Sequence, residues 1–266
     1  MFISEHIRQF KSCFPSPPAL ASSEENEGRS PERWFKNIDR NKLSMKIGPL
    51  PITTNRPALL AMAADRSAGT AELCISILAW GGMHGKNRDR LFARPLDPWV
   101  SLAERIRDDE LSRSESYDAF SQLRISGGEA IAGMGPAYFT KLIYFLAPVT
   151  SSRTAKGYIM DQWLGCAVNL LAGRQLVKLD QHLTWQVKKG QPAQRADSFV
   201  SNLNSGRDYE AFCQSVEALS AQMGAPWTPE LTERALIADG GRVPHPWRAY
   251  VVQQRLAAMR IEQWRS

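Results

Sequence analysis

Several features that would place a protein in a class at once are missing from this 266-residue sequence. It contains no run of 18 or more apolar residues, so it offers no candidate for a membrane-spanning helix. The four cysteines are spread between positions 13 and 213, too far apart for CxxC-type metal binding or an iron–sulfur cluster. The histidines show no HxxxH, HExxH or HxE spacing, which argues against a zinc site.

Nucleotide-binding and export signals are missing as well. The sequence contains neither a Walker A motif nor a dinucleotide fingerprint. The first residues, MFISEHIRQFK, lack the successive basic, apolar and small-residue regions of a secretory signal. We therefore expect a cytoplasmic protein, without a membrane partner, that uses neither a metal ion nor another cofactor.

Positive charge is present in excess. The 33 lysines and arginines outnumber the 27 acids, which gives a formal net charge of +6 and an isoelectric point of about 9.2. Such a charge favours a polyanionic partner such as nucleic acid. Many soluble proteins are mildly basic, however, so charge alone leaves an ordinary globular protein as the alternative.

Apolar residues recur at helical spacing along most of the chain, and no internal repeat is visible. The pattern predicts helices at 70–80, 98–109, 114–124, 136–147, 160–172, 208–223, 228–238 and 245–263. Residues 12–31 are rich in Pro, Ser and Glu and predict a mobile loop, and residues 48–57 an extended connection. The stretch WGGMHGKNRDRLF, residues 80–92, predicts a polar, basic elbow. Strand signals are weak, so the sequence predicts a mainly α fold.

The sequence Gly133-Met134-Gly135-Pro136 lies between a short predicted polar helix, GGEAIA, and an apolar helix, AYFTKLIYFL. Two glycines two residues apart let the backbone turn tightly and leave their N–H groups unobstructed. With Pro136 in its first turn, the following helix directs the positive end of its dipole towards the turn. These features predict a site for a DNA phosphate, which would hold the backbone without reading sequence. The alternative is an ordinary joint between two helices, because GxG alone is common.

Asp161 lies further along, between an apolar stretch and a new helix, in the sequence YIMDQW. An aspartate at such a junction can cap the helix, which is the structural alternative. The functional interpretation is a carboxylate at the mouth of a cleft that stabilises an oxocarbenium-like sugar or activates water. Cleavage of an N-glycosidic bond requires such a group facing the deoxyribose.

The segments GMGPAYFTKLIYFLAP and GYIMDQWLGCAVNLL together resemble the helix-hairpin-helix-Gly/Pro-Asp superfamily of DNA glycosylases. The chain is most similar to the bacterial branch with an 8-oxoguanine DNA glycosylase (OGG-like) fold, over residues 127–171 and more weakly over 80–92. The resemblance implies a two-lobed helical helix-hairpin-helix DNA glycosylase fold, with DNA bent across the cleft and the target base flipped out. Gly133 and Gly135 match the hairpin glycines, and Asp161 matches the superfamily aspartate.

Lyase-competent members of this superfamily carry a lysine two residues after the hairpin, where it forms a Schiff base. Here Ala137 holds that place, and Lys141 lies one turn further along the same helix face. Burial among apolar neighbours would favour a neutral, nucleophilic amine. The alternative is a surface lysine that keeps its charge, and a monofunctional enzyme in which Asp161 works with water alone. Lys141 is therefore the second catalytic candidate.

Two further groups complete the predicted site. The base-pocket group consists of Trp80, Met83 and His84 on the elbow, and Gln162 and Trp163 after the aspartate. The DNA-binding group consists of Gly133, Gly135, Pro136 and Ala137 together with Lys86 and Arg88. The alternatives are core packing for the two tryptophans and a solvated loop for the basic residues.

The C-terminal segment contains Arg242, Arg248, Arg255, Arg260 and Arg265 against one acid, Glu262. A basic helix of this kind is often only a solvated face. In the same way, Asn169 is a polar residue within an apolar run, where it could orient a partner or cap a neighbouring segment.

These features predict two lobes and one function. Residues 1–69 pack with residues 191–266 as one helical lobe, and residues 70–190 form the helix-hairpin-helix catalytic lobe. We expect a monomeric DNA glycosylase that flips out and excises a modified base from double-stranded DNA and leaves an abasic site. The alternatives are an 8-oxoguanine repair glycosylase/lyase and a non-catalytic helix-hairpin-helix DNA-binding protein.

The favoured substrate is a phage-modified cytosine, such as glucosylated hydroxymethylcytosine, in anti-phage defence. Bacterial relatives with this fold include phage-defence proteins that act on hypermodified bases, and the Gly-rich elbow leaves room for a bulky adduct. The N-terminal region also differs from that of housekeeping repair enzymes. Fold alone does not fix the substrate, so 8-oxoguanine stays open as the alternative.

Overall fold

A computed structural model describes residues 2–18, 28–125, 130–148, 155–188, 190–238 and 244–263, with side chains except at Lys188, Ala196 and 260–263. Within these ranges the chain forms twelve α-helices, one short 3-10 helix and one two-stranded antiparallel sheet. The predicted mainly helical fold is confirmed. Every helix of the described part is too short or too polar to cross a membrane. Residues 19–27 of the predicted N-terminal loop, the start of the GGEAIA stretch, Arg242 and Arg265 lie outside the described residues.

The chain forms two compact units. The helical-hairpin unit comprises Ala21–Ile159 and Ser205–Glu210, and the aspartate unit comprises Met1–Leu20, Met160–Asn204 and Ala211–Ser266. The lobes predicted from the sequence, residues 70–190 against residues 1–69 with 191–266, have other bounds and stay a prediction.

The helical-hairpin unit consists of α2 (Pro31–Phe35), the 3-10 helix (Arg40–Lys42), α3 (Arg56–Ala64), α4 (Thr70–Trp80), α5 (Gly85–Phe92), α6 (Asp97–Arg107), α7 (Arg113–Ile125) and α8 (Pro136–Leu146). Helix α8 packs against α3, α4, α6 and α7. Its sequence, PAYFTKLIYFL, is apolar on nearly every side, and eight of its 11 residues are buried. The helix that carries the glycine hairpin is therefore anchored in the centre of this unit.

Helix α4 has the predicted bounds, but the elbow after it is more ordered than expected. Residues 85–92 form helix α5, whose first turn is capped by the imidazole of His84. Leu91 and Phe92 are buried at the end of this helix and attach it to the unit. The prediction of an irregular elbow beyond residue 84 was therefore wrong, because a capping residue and two apolar anchors stabilise a polar helix.

Residues 155–159 approach Asp161 as a non-helical segment held within the helical-hairpin unit. The buried guanidinium of Arg113 donates to the Lys156 carbonyl at 2.8 Å and to both carboxylate oxygens of Glu210 at 2.7 Å. The hydroxyl of Tyr209 donates to the Tyr158 carbonyl at 2.7 Å. A buried ion pair and a buried hydrogen bond thus fix the backbone shortly before the aspartate.

The aspartate unit contains α1 (Ser4–Cys13), α9 (Gln162–Ala172), β1 (Leu179–Lys188), β2 (Gln191–Val200), α11 (Pro229–Leu236) and α12 (Pro246–Gln263). Helix α10 (Gly206–Met223) begins in the other unit and continues into this one. Helix α9 packs against α1, α11, α12 and both strands. It is therefore the central element of this unit, and Asp161 stands at its start.

The β-hairpin was not predicted. Its ten residue pairs run from Leu179 opposite Val200 to Lys188 opposite Gln191, and Gly190 at the tip has a positive φ of 76°. The alternation of Leu183, Trp185 and Val187 with polar residues is a strand signal, but β2 has almost no apolar alternation. Residues 179–200 thus form two strands in a region where the sequence shows only weak strand signals.

Candidate active site

The predicted turn at the glycines is present, and one of its glycines is required by geometry. The described end of the predicted polar helix, residues 130–132, is a turn and not a helix. Gly133 has a φ of 90°, and a Cβ at this position would lie 2.3 Å from the Asn87 carbonyl oxygen. The Met134 amide donates to the Ile131 carbonyl at 2.9 Å and closes the turn. Any larger residue at 133 would therefore be strained in its backbone and would collide with α5.

The start of α8 has the features expected of an anion site. Pro136 occupies its first turn, and no side chain caps it at Gly135. An uncapped helix start presents backbone N–H groups and a partial positive charge. The guanidinium carbon of Arg124, on α7, lies 4.0 Å from the Cβ position of Gly135. Arg124 was not predicted as part of this site, because it stands near the end of a separate helix, α7.

Of the two predicted phosphate-binding residues on α5, only Lys86 is exposed to solvent. Its neighbour Asn87 contacts Gly133, so Lys86 lies near the hairpin. Arg88 has a side-chain exposure of 12%, donates to the Trp34 carbonyl, and pairs with Asp89 at 2.7 Å. Lys86 is therefore better placed for a phosphate than Arg88, and both roles stay predictions.

The predicted pocket residues of the elbow have different surroundings. Met83 is fully buried, and its carbonyl accepts from Trp34 Nε1 at 2.9 Å and from Arg29 at 3.1 Å. Trp80 is half-buried, packs edge-on against Phe145 with ring centroids 5.1 Å apart, and lies 5.6 Å from the Arg56 guanidinium. Met83 is therefore fixed inside the fold. Trp80 and the exposed His84 retain accessible surface.

Lys141 is half-buried on α8. Its ammonium donates to the Ala137 carbonyl at 2.6 Å and lies 5.5 Å from the centroid of the Tyr138 ring. Its alkyl stem lies close to Gly81, where a Cβ would be 2.6 Å from Lys141 Cδ. Both polar contacts are typical of a charged lysine, since they stabilise the ammonium form.

Asp161 is the N-cap of α9. Its Oδ1 accepts from the amides of Trp163 at 2.8 Å and Leu164 at 3.0 Å. The structural interpretation of this aspartate, a helix cap, is therefore confirmed, and the carboxylate is half-buried in a fixed orientation. A cap and a catalytic group are compatible roles, because the cap fixes the orientation of the carboxylate.

An aromatic–cationic group surrounds the start of α9. The Arg248 guanidinium stacks over the Trp163 ring at 4.2 Å and donates to the Ile237 carbonyl at 2.8 Å. Burial lowers the pKa of Arg248, and the negative charge of Asp161 opposes that shift. Arg255, one heptad further along α12, lies 5.9 Å from the same ring and 3.1 Å from Cys166 Sγ. The seven-residue spacing of Arg248 and Arg255 places them on one face of α12. This signal is present in the sequence, but the interpretation of the segment as a solvated helix did not use it.

The side chain of Gln162 lies beside the same tryptophan. In the amide orientation that satisfies both neighbours, its nitrogen donates to the Ser198 carbonyl and its oxygen accepts from Trp163 Nε1 at 3.2 Å. Gln162 thus connects the first turn of α9 to strand β2. The two predicted pocket residues after the aspartate contact each other, and this cluster is assembled within one unit.

Further along α9, a cavity of about 160 Å³ opens between α9, α12 and β1. Its lining includes Cys166, Leu170, Gln181, Gln254, Arg255 and Met259. Asn169 also borders it, but its side chain caps the following loop by accepting from the Leu176 and Val177 amides at 2.8 Å. This confirms that Asn169 caps a neighbouring segment, as the sequence analysis allowed.

The glycine hairpin with its uncapped helix start and the carboxylate-capped helix are the two features on which the resemblance to helix-hairpin-helix DNA glycosylases rests. A family model described as "Putative 8-oxoguanine DNA glycosylase OGG-like protein" matches residues 22–237. The chain belongs to this OGG-like family of DNA glycosylases, so the resemblance and fold predicted from the sequence are confirmed and DNA is the implied substrate. Comparisons with curated proteins and with solved structures found no match.

Proposed function

We propose that this protein is a DNA glycosylase that hydrolyses the N-glycosidic bond of a modified base, with Asp161 as the catalytic residue. The observation that carries the proposal is the Asp161 carboxylate, oriented by two amides at the start of α9 beside the Arg248–Trp163 pair. The family match to DNA glycosylases supplies the reaction class.

In this reaction the bond between C1′ and the base nitrogen breaks, and its electron pair leaves with the base. The sugar develops positive charge, which a fixed carboxylate stabilises electrostatically. Water then adds to C1′ and passes a proton to Asp161, leaving an abasic site. Because the cap bonds fix the carboxylate orientation before DNA binds, little reorganisation is needed in the transition state.

The glycine hairpin supplies DNA positioning. Its helix start and Lys86 lie in one region of the helical-hairpin unit, joined through the contact between Gly133 and Asn87. A phosphate bound there would anchor the duplex without selecting sequence. The hairpin therefore contributes affinity, and base selection falls to other residues.

We assign Lys141 no Schiff-base role and propose a monofunctional enzyme. The Lys141 nitrogen donates to the Ala137 carbonyl and lies near the Tyr138 ring, so it would have to leave both contacts before it could attack a sugar carbon. Ala137, at the place used by lyase-competent relatives, has no amine. Borohydride treatment of a reacting mixture is expected to trap no covalent adduct, and a trapped adduct that Lys141→Ala abolishes would restore the lyase alternative.

For the substrate we propose a phage-modified cytosine, such as glucosylated hydroxymethylcytosine, ahead of 8-oxoguanine. On the elbow, Gly82 is exposed and a Cβ there would meet nothing within 4 Å, so the residue does not obstruct a bulky base. The family description favours 8-oxoguanine as the second candidate. Base release from glucosylated phage DNA and from an 8-oxoguanine duplex should be measured side by side. Release from the duplex alone would reverse the order.

Asp161→Asn is the decisive variant for catalysis. Asparagine caps helices about as well as aspartate, so the fold should be kept, while base release should fall about 100-fold or more. Asp161→Ala is the matched comparison, because it removes the cap as well and should lower the free energy of unfolding by about 1 kcal/mol. If Asp161→Asn releases base like the parent, Asp161 is only a cap and another residue carries the catalysis. A parent protein that releases no base from any tested duplex would instead favour the non-catalytic DNA clamp.

A further inference from the structure

The β-hairpin of the aspartate unit has an apolar face that continues from the packed root to the exposed tip. At its root, Ser198 and Val200 are buried, and the strands pack on α9 and α12. The register places Trp185 opposite Gln194 and Val187 opposite Pro192 on that same face. Yet Trp185 is 69% exposed and Val187 77% exposed. The face is therefore covered at one end only.

An exposed tryptophan beside an exposed valine on a narrow ribbon is costly to leave in water. The opposite face provides a contrast, because its exposed aromatic residue, Phe199, lies near the root. The stacking surface at the distal end is thus the indole of Trp185. Helices α9 and α12 pack on this ribbon, and the strand residues that are buried, Ser198 and Val200, lie at its root.

Charge indicates what covers the distal face. Residues 178–200 contain four lysines and arginines against two aspartates. Arg195 pairs with Asp197 at 2.7 Å, but its side chain remains 60% exposed. The register places Arg195 on the face opposite Trp185, so the charge belongs to the ribbon as a whole. An exposed aromatic ring on a ribbon with excess positive charge suits a nucleic acid, since bases stack on the ring and the cations attract phosphates. A protein partner or a second copy of this basic chain fits this charge less well.

We propose that the β-hairpin is a second DNA-contacting element, in which Trp185 stacks on a base exposed where the duplex is opened and the excess positive charge of the ribbon attracts the phosphates. This inference rests on the DNA-directed function of the family, but it does not depend on Asp161 or on any substrate. Opening a duplex unstacks bases at a cost of a few kcal/mol, and an inserted side chain offsets part of it.

The test is binding of the full chain to two fluorescein-labelled duplexes of one sequence, one intact and one carrying a tetrahydrofuran abasic analogue. Trp185→Ala should weaken binding to the abasic duplex about 5- to 100-fold, as expected for one base–aromatic stack. The loss for the intact duplex should be smaller, because its bases are already stacked. Trp185→Phe should restore most of the affinity, and Phe199→Ala, on the opposite face, should change it by no more than about twofold.

Several results would overturn the proposal. These are an unchanged affinity of Trp185→Ala, an equal loss in Phe199→Ala, or a dimer in sedimentation that Trp185→Ala converts to a monomer. The last result would mark a contact between protein chains. Failure of the proposed glycosylase activity can be distinguished from failure of this proposal, because binding to the abasic analogue requires no base release. A parent protein that releases no base can still show the Trp185-dependent binding.

Discussion

The two units of this protein use their polar and basic residues in different ways. In the helical-hairpin unit, Arg88 and Lys141 donate hydrogen bonds to carbonyl groups of their own unit. In the aspartate unit, Asp161 and Arg248 lie around one helix start and one tryptophan, where charge and an aromatic ring meet. An isolated basic residue in a sequence is therefore weak evidence for DNA contact. A cluster that combines an acid, a cation and an aromatic ring is stronger evidence for a functional site.

The largest effect should come from Gly133, which tests whether the hairpin is fixed by its contact with α5. Gly133→Ala combines a left-handed backbone with a collision against the Asn87 carbonyl and should lower the free energy of unfolding by about 2–4 kcal/mol. Gly82→Ala is the matched control, because Gly82 has a φ of 72° and open space, and should cost about 1–2 kcal/mol. Urea unfolding measures both, and equal losses would refute the role of the contact.

The second prediction tests the cluster of the aspartate unit. Arg248→Met keeps the alkyl stem but removes the charge over Trp163, so base release should slow by about 2- to 30-fold, as expected for one cation–π pair. Arg255→Met is the control, since its guanidinium lies 5.9 Å from the ring and bonds to Cys166. If Arg255→Met lowers the single-turnover rate more than Arg248→Met does, the catalytic site lies further along α9 than proposed.

The smallest effect concerns Lys86 and Arg88, which separate DNA contact from packing. Lys86→Ala should weaken duplex binding about threefold and reduce the slope of log affinity against log salt by about one. Arg88→Ala should leave that slope unchanged and lower thermal stability instead, because Arg88 is engaged with Trp34 and Asp89. If Arg88→Ala reduces the salt slope and Lys86→Ala does not, Arg88 is the phosphate contact. The described difference between the two units in the use of their basic residues would then be wrong.

The sequence predicts those elements of the fold whose residue pattern is contained within the element itself. Helices α4 and α8 follow from dense apolar patterns bounded by glycine or proline, and their bounds agree with prediction within a residue. The β-hairpin was missed because only one of its strands alternates, and its pairing depends on contacts with α9 and α12.

The same reasoning applies to the candidate site. Gly133, Pro136 and Asp161 stand out because their residue types have strong local preferences for turns, helix starts and caps. Arg248 comes from a helix some 87 positions after Asp161, and no local pattern connects the two. Such a neighbour becomes visible only when the chain is folded.

The cap formed by Asp161 also has a genetic consequence. Every aspartate codon becomes an asparagine codon by a change of one base, and asparagine keeps the two amide bonds that start α9. One point mutation can therefore convert the proposed enzyme into a folded protein that still grips DNA and leaves the target base attached. In a cell, such an allele would occupy the damaged or modified sites and shield them from other enzymes, so we expect it to act as a dominant inhibitor.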